Sequence, residues 1–100
     1  MNPQKVQRDK VFELEDLPNI GKAMAAVLRS IGIRSPQQLA GKDPMQLYEA
    51  LCKRTGVRHD PCVIDVFMSI THFMGGGDSL PWWSFTPERK RILKKRNEPG

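Results

Sequence analysis

The chain has 100 residues, 39% of them hydrophobic, and carries 16 Lys and Arg against 11 Asp and Glu, a net charge of +5. That length makes one domain with a modest core, and no apolar run is long enough to cross a membrane. MNPQKVQRDK, the first ten residues, lacks the apolar stretch of a signal peptide, so the expected setting is cytoplasmic, with Cys52 and Cys62 as free thiols rather than a disulfide. The basic excess points to an anionic partner, and it is unevenly placed. Residues 85–100 hold six basic and two acidic groups, whereas residues 1–84 hold ten and nine.

The punctuation along the chain is that of helices, and no stretch alternates as a strand would. A helix is expected over 4–15. Pro18-Asn19-Ile20-Gly21 then makes a turn into a helix over 21–31, with Ile20, Met24, Val27, Leu28 and Ile31 on one face. Ala23, Ala25 and Ala26 allow close approach of neighbours. Gly32-Ile33 has the form of a left-handed C-cap followed by an apolar residue. Ser35-Pro36-Gln37-Gln38 reads as an N-cap, a proline at the first helical position and a capping-box glutamine, opening a short helix over 36–40.

Asp43-Pro44 repeats the signal and opens a helix over 44–54, with Leu47, Tyr48, Leu51 and Cys52 inward. Gly41 and Gly56 fall where the preceding helices should stop. Asp60-Pro61 opens a helix over 61–74 that is apolar nearly all round and therefore central. Its one polar stripe, Asp65, Ser69 and His72, reads as a solvent edge. Gly75-Gly76-Gly77 breaks the order, and a flexible connection leads to Trp82-Trp83. Thr86-Pro87-Glu88 caps a last, semi-detached helix over 87–97 carrying Arg89, Lys90, Arg91, Lys94, Lys95 and Arg96. The predicted fold is all-α: a compact bundle of about five short helices plus a basic C-terminal helix. It divides into a domain at 1–77 and a Trp-containing segment with the basic helix at 78–100.

The Leu17-Pro18-Asn19-Ile20-Gly21 loop, followed by a helix that ends in Gly32-Ile33, resembles the helix-hairpin-helix motif. In that family the hairpin reads apolar–Gly–apolar–Gly, and its backbone amides at a helix N-terminus hold a nucleic-acid phosphate. The resemblance assigns this role to Asn19, Ile20 and Gly21, with Lys22 as counter-charge. Free N–H groups and the positive end of the helix dipole do favour an anion there. The first glycine of the family pattern is Asn19 here. Asn tolerates positive φ better than most residues, and its side chain would either crowd a phosphate or bond it. The helix at 44–54, the loop through Gly56-Val57-Arg58 and the helix at 61–74 repeat the order loosely, as in a tandem arrangement that adds Arg58 to the charged set.

Three blocks, LPNIGKAMAAVLRSIGI, DPMQLYEALCKRTGVRHDPCVIDVF and PWWSFTPERK, together resemble the small bacterial pathogenicity-locus family, whose members are often labelled mitomycin-resistance-like or helix-hairpin-helix proteins. The resemblance implies a bacterial, cytoplasmic, all-helical protein and leaves the activity open.

Other constellations are weaker. Cys52, His59, Cys62 and His72 do not have the spacing of a standard zinc site, and both cysteines sit on apolar faces, so no metal or cofactor is expected. Cys62 lies near a helix N-terminus, where a thiolate would gain some stabilisation, but no oxyanion-hole pattern accompanies it and an enzyme is not expected. Trp82, Trp83 and Phe85 precede a basic helix. Aromatics of that kind stack on bases beside phosphate-holding cations, lie on anionic membranes, or fold back onto the core. Two readings remain. One is a non-enzymatic, sequence-independent DNA-binding protein using Asn19, Ile20, Gly21, Lys22, Arg58 and the basic helix from Arg89 to Arg96. The other is a protein-interaction adaptor using Trp82 and Trp83.

Overall fold

The computed structural model describes residues 8–96. Among these it has four α-helices and no strand: α1 (Lys22–Ser30), α2 (Pro44–Thr55), α3 (Cys62–Met74) and α4 (Thr86–Lys95). Single 3-10 turns lie at Arg8–Lys10, Leu14–Asp16, Pro36–Leu39 and Trp82–Phe85.

The N-terminal helix expected over 4–15 is absent from its described part, and two 3-10 turns stand there instead. The cause is local. Val11, Leu14 and Leu17 are all buried, and only Leu14 of the three lies within a turn. The Asp16 carboxylate takes the amides of Phe12 and Glu13, at 3.1 and 2.9 Å, that an α-helix would use. The short helix expected over 36–40 is likewise one 3-10 turn. Its cap is as predicted, with the Ser35 amide donating to the Gln38 side chain at 3.0 Å.

The other boundaries follow their caps. α1 ends in a Schellman pair, Ile33 N–H to Leu28 O and Gly32 N–H to Arg29 O, with Gly32 at φ +92. Asp43 accepts the Met45 amide at 2.9 Å to start α2, and Gly56, at φ +73, ends it. Asp60 accepts the Cys62 amide at 2.8 Å to start α3. The triple glycine, expected to be a flexible break, is a second Schellman cap. Gly77 N–H bonds His72 O at 2.8 Å and Gly76 N–H bonds Phe73 O at 3.2 Å. A Cβ at Gly77 would collide with the His72 ring.

α3 is the centre, as its composition predicts. Ile64, Phe67, Ile70 and Phe73 are buried against Leu28 of α1, Leu47, Tyr48 and Leu51 of α2, and Leu39. The C-terminal segment closes the remaining side, which corrects two expectations. First, α4 is not semi-detached: Phe85 and Leu93 join the core, and each such burial contributes roughly 1.5–3 kcal/mol. Second, the polar stripe of α3 is no solvent edge, because Asp65 and Ser69 are fully buried and only His72 is exposed. Thr86, expected to cap α4, instead donates its hydroxyl to Asp65 Oδ2 at 2.6 Å.

Candidate functional site

The turn before α1 is held in a left-handed step at Asn19, φ +68. Its side chain is half-buried. It points inward, and Nδ2 donates to Ser69 Oγ at 3.1 Å and to Leu80 O at 2.9 Å. Ile20 is core, and its amide donates to Leu17 O at 3.4 Å. Of the expected anion loop, the accessible part is therefore Gly21, Lys22 and the start of α1, all exposed. Gly21 is the N-cap and supplies no capping side chain. Ala25 N–H donates to Gly21 O at 2.9 Å as the first bond of α1, so the amides ahead of it lie at the open N-terminal end of the helix, whose first residue is exposed Lys22.

The second loop differs. Tyr48 donates its hydroxyl to the His59 carbonyl, and Thr55 Oγ1 lies 2.8 Å from His59 Nε2. Arg58 is exposed, its guanidinium 5.8 Å from the Tyr48 ring centre. The N-terminus of α3 is already met by the Asp60 carboxylate, so Arg58 is what this loop contributes to the expected charged set.

The five basic residues of α4 and Arg96 at its C-cap separate into three groups. Arg89 is buried, and its Nε donates to Asp65 Oδ1 at 2.9 Å; that guanidinium is removed from the expected phosphate-binding set. Arg96 bonds Glu49 at 2.5 Å on the surface. Lys90, Arg91, Lys94 and Lys95 are exposed, and none forms an ion pair among the described residues. They share the arc of α4 opposite Arg89 and Leu93. Trp83 stands 60% exposed at the head of this helix, its ring edge-on to half-buried Trp82, with centroids 5.7 Å apart at 83°.

The buried Asp65–Arg89 pair and the Asn19 clasp are what sequence reasoning missed. A signal for the first was present. Arg89 is four residues from both Phe85 and Leu93, so it shares their inward face, opposite an aspartate on an otherwise apolar helix. Nothing local marked Ser69 and Leu80 as partners for Asn19.

The remaining candidates do not assemble. Among the described residues, no three His, Cys, Asp or Glu side chains lie close enough to hold a metal ion. Both cysteines are free. The Cys62 thiol is not activated by its helix end: the hydrogen bond to Asp60, then burial, push it above its ordinary pKa. Asp65 and Ser69 spend their side chains on Arg89, Thr86 and Asn19, so no catalytic relay links them to His72. An open cleft of about 400 Å³ borders His72, Lys42, Phe85 and Glu88. No helix among the described residues is long and apolar enough to cross a membrane.

Comparison with known proteins places this geometry in context. No solved structure matches the chain. A curated relative, "Mitomycin resistance protein McrB" of Streptomyces lavendulae, is 42% identical over 81 residues, covering 81% of this chain and 77% of the relative. The model of the family described as "Pathogenicity locus" (Cdd1) matches residues 7–91, which include most of the core, the clasped turn and the first part of α4; the chain belongs to that family.

Proposed function

We propose that this protein is a non-enzymatic, sequence-independent DNA-binding protein of the bacterial cytoplasm. In this reading the turn before α1 is a helix-hairpin-helix corner whose first arm has shrunk to a 3-10 turn, and α2 with α3 forms a second, looser hairpin. Phosphates are held by Gly21, the first amides of α1 and Lys22, by Arg58, and by Lys90, Arg91, Lys94 and Lys95. The observation that carries the reading is the last group: four exposed cations on one arc of α4, unpaired among the described residues. Such an array attracts a polyanion without reading bases. The open N-terminal amides of α1 add an anion-favouring dipole end.

The test is fluorescence anisotropy with labelled DNA across a salt series. Truncation before α4 is unsuitable, because it would strip Arg89 from buried Asp65. The double reversal Lys90→Glu, Lys94→Glu leaves the core intact and should abolish binding. Absence of any salt-sensitive binding by the unaltered chain at micromolar concentration removes the proposal. Exposure of Trp83 favours a second reading, an adaptor for another protein. It expects Trp83→Ala to break a pull-down that the charge reversals leave intact.

A further inference from the structure

We infer that the nucleic acid held by this surface is single-stranded DNA, with Trp83 as a stacking platform for an unpaired base. The inference rests on the DNA-binding reading above and specifies its ligand.

Four observations lead to it. Trp83 is 60% exposed but not loose. It lies in the 3-10 turn Trp82–Phe85, which runs without interruption into α4, and its ring is braced edge-on by Trp82. A fixed aromatic face is of use to a base whose own face is open; in a duplex, both faces of each base are already covered by stacking. Lys90 and Lys94, four residues apart, share one side of α4, and Trp83 stands in the turn that leads into that helix. An aromatic beside a cationic track is the arrangement that binds single strands without sequence preference.

The α1 turn joins the same region. Asn19 bonds the Leu80 carbonyl at 2.9 Å, and Trp83 is three residues further on, at most about 11 Å of chain. Lys22 and the α1 amides therefore lie close enough to extend one track. Finally, α4 has no apolar face for a membrane. Ile92 and Leu93 turn toward the core, and the outer arc carries Pro87, Glu88 and the four cations, so Trp83 would be its one anchor.

The experiment compares an oligothymidylate of about 16 nucleotides, a duplex of equal length and an abasic oligomer of equal length. It uses the full chain and its Trp83→Ala and Trp83→Phe variants. The expected result is single-strand binding tighter than duplex binding, weakened about tenfold by Trp83→Ala and largely retained by Trp83→Phe. The abasic oligomer should bind like the Ala variant does. In a Trp82→Phe background, the remaining tryptophan emission should be quenched by the oligothymidylate. Salt-sensitive binding in which duplex equals or exceeds single strand, or in which Trp83→Ala and the abasic probe change nothing, overturns this inference and leaves the DNA-binding reading standing. Absence of salt-sensitive binding to every probe removes both. A blue shift on phosphatidylserine vesicles without binding to any oligomer also overturns it, in favour of a membrane surface.

Discussion

Arg89 reaches Asp65 inside the protein: its Nε lies 2.9 Å from Oδ1, and the two side chains are 5% and 0% exposed. Thr86 takes the other carboxylate oxygen. The bond to Asp65 drives the Arg89 guanidinium still further toward its charged form. The pair joins α3 to α4, so a residue that looks like part of a basic surface instead fixes how that surface is mounted.

This arrangement predicts an asymmetric cost. Arg89→Met leaves a buried carboxylate without its counter-charge and should lower stability by about 3–5 kcal/mol. Asp65→Leu with Arg89→Met removes both charges and should recover most of that loss. Urea unfolding of the two single variants and the double variant measures it. A near-neutral Arg89→Met would show that the pair does not hold α4.

The fold was legible where the chain punctuates itself. Asp43-Pro44, Asp60-Pro61, Ser35-Pro36 and Gly32-Ile33 satisfy orphan backbone groups through neighbours a few residues away, so sequence spacing suffices to locate them. The site was less legible, because its residues are defined by distant contacts. Whether Arg89 is a phosphate ligand or a core residue depends on Asp65, 24 residues away. Whether Asn19 faces solvent depends on Ser69 and Leu80, 50 and 61 residues away. The N-terminal helix expected over 4–15 is absent from its described part for a different reason: Asp16 turns back to take the amides of Phe12 and Glu13, and an acidic residue at that position does not by itself announce such a turn.

Asn19 combines two roles that substitution can separate. Asn19→Gly keeps the left-handed backbone at φ +68 but loses both side-chain bonds, which should cost roughly 1–3 kcal/mol. Asn19→Ala loses the bonds and also meets the left-handed penalty, about 1–2 kcal/mol more. The expected stability order in thermal unfolding is Asn, then Gly, then Ala. Equal stability of the Gly variant and the unaltered protein would mean that the clasp contributes nothing.

Asp60 and Cys62 perturb each other in opposite senses. The Cys62 amide, then its thiol, hold the Asp60 carboxyl below its ordinary pKa. Its folded form therefore stabilises the protein above about pH 4, and that contribution is lost as pH falls through the lowered value. The raised Cys62 thiol makes the complementary prediction. Iodoacetamide should alkylate Cys62 slowly at pH 8, with a rate inflection above the ordinary thiol value of about 8.5. Asp60→Asn retains the oxygen that caps α3 but removes the charge, so it should lower the inflection and speed alkylation. No change in the Asn variant would detach the thiol from Asp60.

Division of the α4 cations makes the salt dependence quantitative. On a single strand, each phosphate contact steepens the plot of log affinity against log salt by about 0.7, and on duplex DNA by about 0.9. Lys90→Gln with Lys94→Gln should therefore flatten the slope by about 1.4 or 1.8, respectively. Lys22→Gln should remove about half as much if the α1 turn shares the track. Arg96→Gln should remove less than one full contact, because Arg96 already lies 2.5 Å from Glu49 and must exchange that partner for a phosphate. A double variant that binds DNA with an unchanged slope would show that the outer arc of α4 is only solvated charge.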